Sequence, residues 1–224
     1  MVYMFCMAVK MDYYKSVLES LQYLLVTAGV DFWANWIDID KSLWESEKNV
    51  EHHLSAFAGM GSINDVYICA ENGHNITAGQ EPWVNCAFKE LKGFSYAFAN
   101  AYANGRVIDL ADHELITPAN TTIQGECCLA CGYKQTTKRD VDYYIARNIV
   151  SQEIVQGLYD NRLVSSIKEC LATDLPVIKT ERTRTREILK QIPVNYTENN
   201  TFLRPCSNCG SEDTAVHYWE ITNT

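Results

Sequence analysis

The sequence predicts a mostly α-helical protein with small β elements, an α+β fold in two parts, and three observations carry that expectation. Apolar residues recur at three- and four-residue steps through several long stretches, which is the spacing of one helix face. Two Cys-x-x-Cys-Gly motifs, Cys128–Gly132 and Cys206–Gly210, are flanked by short segments with strand character. Between them the helical pattern returns over about residues 140–175, so a helical insertion is expected inside a small β module. The expected boundaries are 1–110 for a helical domain and 111–224 for the module with its insertion.

From Asp12 to Ala28, the residues Val17, Leu21, Leu24 and Ala28 form one apolar row, with Leu18 and Leu25 beside them. Gly29 is placed to end that helix. Asp31 suits the N-cap of a second helix, which carries Phe32, Trp33, Trp36, Ile37 and Trp44. Tryptophans at this density predict core packing, with a ligand-stacking aromatic box as the functional alternative. A short helix from Glu51 is broken by Gly59 and Gly61, Val66–Cys69 reads as a brief strand, and Asn72-Gly73 reads as a turn.

Glu81 to Tyr102 is helical again, with Trp83, Ala87, Leu91, Phe94, Phe98 and Tyr102 on one face and Asn104-Gly105 closing it. Pro82 falls in the first turn, where a missing N–H costs little. Past Pro118, a strand is expected over Thr121–Glu126 entering the first cysteine motif, and another over Tyr133–Lys138 leaving it. Asp140 to about Thr173 is helical, with a break at Asp160-Asn161 and a stop at Pro176. Thr214–Thr222 alternates Ala215, His217 and Trp219 against Val216, Tyr218 and Glu220, the period of a half-buried strand.

Each Cys-x-x-Cys-Gly motif turns two thiols toward one point, and the glycine permits the tight backbone turn beneath them. Cysteine is only 9 of 224 residues, so two such pairs, each followed by glycine, are a specific signal. Cys128, Cys131, Cys206 and Cys209 are therefore expected to share one structural zinc. The 74 residues between Cys131 and Cys206 exceed the about 15–20 common between paired motifs, and two alternatives stay open. Separate sites could draw on Cys127 or His113 beside the first pair and on His217 beyond the second. A metal-free redox pair at Cys128 and Cys131 requires a thiol at a helix N-terminus, whereas Gly132-Tyr133-Lys134 reads as extended chain. Cys6, Cys69, Cys86 and Cys170 stand alone and read as small core residues.

Hydrophobic residues at 47% and charged residues at 21% fit an ordinary globular protein. The balance of 19 basic against 28 acidic residues gives −9, with 7 against 13 up to Asp109 and 12 against 15 beyond it. Neither part has the basic excess of a general nucleic-acid binder; the acidity suits a basic protein partner, or simply a solvated surface. Arg182, Arg184 and Arg186, with Lys179 and Lys190 nearby, form the one basic-looking patch and are candidate phosphate contacts.

No run approaches the length of a membrane span. Met1–Lys10 lacks the basic start and cleavage site of a signal peptide; Met1, Met4, Met7 and Met11 are all possible starts, and Asp12 onward reads as the real beginning. Asn75, Asn120, Asn195 and Asn199 lie in glycosylation sequons, but an odd number of cysteines with metal spacing predicts a reducing cytoplasm.

Phe-Trp-Ala-Asn-Trp-Ile from Phe32 and the run His52 to Asp65, followed by Asn72-Gly-His74 before a long helix, resemble a small bacterial domain family with no assigned activity. That family has a Gly-Gly-Met-Gly-Ser-(Phe/Leu)-Asn-Asp core. Gly59-Met60-Gly61-Ser62 and Asn64-Asp65 match it, while Ala58 replaces the first glycine and Ile63 the Phe/Leu. The resemblance covers about residues 12–104 and implies a setting beside toxin–immunity and defence genes. The C-terminal half resembles a zinc ribbon with a helical insertion.

His53, Asn64, Asp65 and His74 are the candidate functional turn. Their plain reading is that Asn64 and Asp65 cap the turn by side-chain bonds. His52 and His53 point about 100° apart on a helix, so at most one is expected to serve a metal. The sequence has no phosphate-cradling loop, nucleophile elbow or His-Glu-x-x-His. The expected function is therefore non-enzymatic: an immunity- or antitoxin-type protein that binds a toxin, stabilised by zinc. The alternative is a zinc-ribbon nucleic-acid-binding or regulatory protein using the arginine patch. A third reading is a hydrolase using His53, Asp65 and His74.

Overall fold

The computed structural model describes residues 2–106, 122–172, 195–197 and 205–220. Helices α1 (Val2–Thr27), α2 (Asp31–Glu47), α3 (Glu51–Ser55) and α4 (Glu81–Ala103) precede strands β1 (Thr122–Cys128) and β2 (Lys134–Thr137). Then come α5 (Lys138–Tyr159), α6 (Leu163–Leu171), β3 (Asn195–Thr197) and β4 (Thr214–Glu220). This is the expected mostly helical fold with a small β part. Among the described residues no helix is long and apolar enough to cross a membrane.

The chain divides into two compact units, Met1–Thr117 with Val150–Ala172, and Pro118–Ile149 with Thr173–Thr224. This differs from a single cut after residue 110, because half of the expected insertion packs with the N-terminal helices. Leu163, Ile167 and Leu171 form a buried row on α6, which packs against α1 and α4. The α5–α6 turn is also tight: a Cβ at Gly157 would lie 2.8 Å from Ser166 Oγ.

In the helical unit, α1 packs against α2, α4 and α6. Its predicted row, Val17, Leu21 and Leu24 with Leu18 and Leu25, is fully buried, which removes that apolar area from water. Asp31 is the first residue of α2 rather than its cap. Val30 holds the cap position without a side-chain bond, and Asp31 instead places negative charge at the helix start. No strand forms at Val66–Cys69. The Asn85 side chain on α4 takes the place of a neighbouring strand, accepting from Ile68 N (3.0 Å) and donating to Ile68 O (2.7 Å).

In the other unit the sheet order is β3-β2-β1-β4. β1 pairs antiparallel with both β2 and β4, and β3, which sequence patterning missed, pairs parallel with β2. The predicted alternation along β4 holds: Trp219 is buried, whereas Val216 and Tyr218 are exposed. Register places Trp219 opposite Ile123 and His217 opposite Gly125. The Trp219 ring lies across Gly125, so that a Cβ there would come within 2.3 Å of the ring.

Candidate metal centre

The first cysteine motif is the turn between β1 and β2, and the second immediately precedes β4. Both fold the same way. Cys128 N donates to Tyr133 O and Gly132 N to Cys128 O; Cys206 N donates to Ser211 O and Gly210 N to Cys206 O, all at 2.8 Å. Gly132 and Gly210 adopt φ of 71° and 74°, left-handed conformations that a side chain would strain. The β1–β4 register runs to Cys128 opposite Thr214, and Leu129 N donates to Asp213 O at 2.9 Å. The ladder thereby carries the second turn up against the first.

Cys128, Cys131, Cys206 and Cys209 consequently converge, with their sulfurs all within 4.8 Å of one another. Cys128 and Cys209 are 3.6 Å apart, Cys131 and Cys206 3.8 Å. A tetrahedral cation bound at about 2.3 Å to each sulfur requires edges of about 3.8 Å, so the four thiols fit one soft metal ion. Cys128 and Cys206 are buried while Cys131 and Cys209 face solvent.

Four thiols this close resist joint ionisation unless a cation offsets their charge. The Asn208 side chain, then the Tyr133 backbone, hold the Cys131 thiol down to about 6. At Cys209 the Ser211 backbone pulls downward most, but bonds with Cys131 and Cys128 leave the thiol pushed up to about 12. Asn208 Nδ2 donates to Cys131 Sγ at 3.5 Å. In a metal-bound centre such a contact would orient the sulfur; sequence reading missed it, although an amide inside the motif was its available signal.

The residues offered for separate sites stand apart from this arrangement. Cys127 directs Sγ toward the Cys128 carbonyl, and His217 packs edge-on against Trp219 at 4.7 Å. His113 lies outside the described residues, as do Arg182, Arg184 and Arg186.

The candidate turn residues in the helical unit are each engaged locally. Asp65 Oδ2 accepts from Gly61 N (2.8 Å) and Ser62 N (3.0 Å), and Ser62 Oγ accepts from Asn64 N (3.2 Å). Asn64 Nδ2 donates to Phe57 O, and His74 Nδ1 accepts from Cys69 N.

His53 pairs instead with Asp40 on α2, a residue that sequence reading passed over. Asp40 is buried; His53 Nδ1 reaches one carboxylate oxygen at 2.7 Å and His52 Nδ1 the other at 2.5 Å. Both rings reach Asp40 although they diverge on the helix, because one carboxylate offers two oxygens that span their divergence. Tyr14 lies edge-on to His53, and its phenol is pushed upward by burial first and by Asp40 second.

A family model described as a domain of unknown function (DUF6966) matches residues 26–77. That span holds α2, α3, Asp40, both histidines and the Gly59–Asp65 loop, and none of the four cysteines. No curated protein and no solved structure matches the chain.

Proposed function

We propose that the protein works by binding rather than by chemistry, as an immunity- or antitoxin-type protein that holds a toxin partner in the cytoplasm. In this reading a structural zinc on Cys128, Cys131, Cys206 and Cys209 fixes its ribbon-like unit. The observation that carries it is the closed donor set. Four thiolates fill a tetrahedron, whereas catalytic zinc keeps one position for water or substrate. The turn residues support the same reading, since Asp65 and Asn64 spend their bonds on their own loop and His53 on Asp40.

The net charge of −9 favours a basic partner by long-range attraction. The resemblance of the N-terminal half to domains beside toxin–immunity genes points to the class of partner.

Capture from the native cell with tagged full-length protein tests the reading. A co-purifying basic protein whose toxicity is relieved by co-expression is the expected result. Recovery of nucleic acid alone, with salt-sensitive binding lost in Arg182→Ala/Arg184→Ala/Arg186→Ala, would overturn it in favour of a nucleic-acid binder. Metal analysis tests the zinc separately. About one equivalent per chain, lost in Cys206→Ser, is expected; less than about half an equivalent, unchanged in that variant, removes the shared site.

A further inference from the structure

Helix α2 presents two apolar rows. Its core face is Trp33, Ile37, Asp40 and Trp44, all buried. The second row is Phe32, Trp36, Ile39 and Leu43, at steps of four, three and four. At about 100° per residue these four fall within a sector of about 60°, the seam spacing of a helix that pairs with another helix. Phe32 is 66% exposed and Ile39 49%; Trp36 and Leu43 are half-buried.

The row is also held in place. Trp36 stacks on His52 with centroids 4.3 Å apart, His52 is tied to buried Asp40, and Phe32 and Trp33 both pack beside Trp36. Aromatic groups fixed in advance lose little side-chain freedom on docking.

The charge around the row is acidic in balance. From Asp31 to Glu51 there are six acidic residues and two lysines. Lys41 donates to Gln22 and pairs with Asp38, Lys48 lies over the Trp44 ring, and Lys15 on α1 pairs with Glu45 at 2.6 Å, which leaves the acidic residues in excess. Asp31, Asp38 and Glu51 are exposed.

We propose that this row is the docking surface for a basic amphipathic α-helix of a partner protein. The proposal rests on the binding reading above and adds the site and the partner's chemistry. A second copy of the chain would set like charges against each other, and an anionic membrane would be repelled.

The probe is an eighteen-residue Lys/Leu amphipathic peptide titrated into the full chain, with a Glu/Leu peptide of equal length as control. Saturable binding of the Lys/Leu peptide is expected, weakened by salt and reduced about tenfold or more in Phe32→Ala/Ile39→Ala. Both positions are exposed, so the variant should stay folded, with its unfolding midpoint lowered only by the lost contacts of the Phe32 ring with Trp33 and Trp36. Equal affinity in the variant, equal binding of the Glu/Leu control, or self-association of the wild type that the variant abolishes would each overturn the proposal. In the capture experiment, a protein partner retained equally by the variant refutes this surface and leaves the binding reading intact. Nucleic acid alone refutes both.

Discussion

Chelating the proposed zinc should unfold the sheet while leaving α6 folded. The ion joins segments separated by 74 residues, and closing a loop of that length costs roughly 4 kcal/mol of chain entropy. Structural zinc contributes about 10–16 kcal/mol in small peptides, against about 5–15 kcal/mol for the net stability of a whole domain. The sheet unit has little to offset such a loss: Ile123, Trp219, Val141, Tyr144, Ile145 and Ala146 are its buried apolar side chains besides the inner cysteines, among the described residues. Helix α6 lies between the two cysteine pairs in sequence but buries its row in the helical unit. Hydrogen exchange with and without chelator, alongside metal analysis, reads both outcomes. Amides of β1 and β4 should lose protection and those of α6 keep it. Protection of β1 and β4 that survives complete metal removal, or loss in α6 to the same degree, would refute the reasoning.

Gly125→Ala should cost about 3 kcal/mol or more, because the added methyl meets the Trp219 ring and, at 2.4 Å, the Gln135 carbonyl; urea unfolding read by tryptophan fluorescence checks this, and a loss under about 1 kcal/mol contradicts it. Asp65→Asn weakens the acceptor for two backbone N–H groups and should cost about 1 kcal/mol; an unchanged melting temperature with cellular function abolished would show that Asp65 instead meets a partner or substrate. Burial, then Glu153 and Glu169, push the Cys170 thiol from 9.0 up to about 12. Its stabilising contribution is therefore intact below about pH 9 and lost as pH climbs toward 12, at up to about 1.4 kcal/mol per unit; Cys170→Ala should flatten that dependence in denaturant titrations at stepped pH.

Much of this fold was legible because periodicity and breakers report local structure directly. The apolar row of α1, the Asp160-Asn161 break and the β4 alternation appear where patterning puts them, and so does the middle of the α4 row, although Trp83 at one end is half-buried and Tyr102 at the other is exposed. Misreadings arose where a distant group decides. Val66–Cys69 has strand composition, yet Asn85 on α4 satisfies the backbone of Ile68 at its centre. Strand β3 is three residues long, too short for a period to register. The cysteine motifs announced a candidate metal-binding set, but their convergence depends on the β1–β4 register, which joins segments far apart in sequence. Asp40 left a trace that went unused: it stands in the row Trp33, Ile37, Asp40, Trp44, where a carboxylate on an apolar face requires a partner. The partner's identity was not in the pattern, because His52 and His53 reach it from α3.

The Asp40–His52–His53 trio makes a further prediction through its unequal histidines. An ionised carboxylate only accepts, so both Nδ1 atoms carry hydrogen when Asp40 is charged. The Nε2 of His53 is then a bare acceptor, buried and unpartnered, whereas His52 is 30% exposed and lets its ring meet water. Asp40→Asn keeps the shape but turns one oxygen into a donor, and one histidine must move its hydrogen from Nδ1 to Nε2 to accept that bond. For His53 the move would exchange an orphaned acceptor for an orphaned N–H in the interior, the less tolerated of the two. For His52 water can accept it. The exchange should therefore fall on His52 alone, with the new amide nitrogen facing it and the amide oxygen turned to His53. Long-range nitrogen–proton NMR distinguishes the tautomers ring by ring. Wild-type protein should show both rings protonated at Nδ1, and the variant only His53. A variant in which His53 switches, or a wild type in which either ring already carries its hydrogen on Nε2 alone, would mean that Asp40 does not hold the pair as an ionised acceptor.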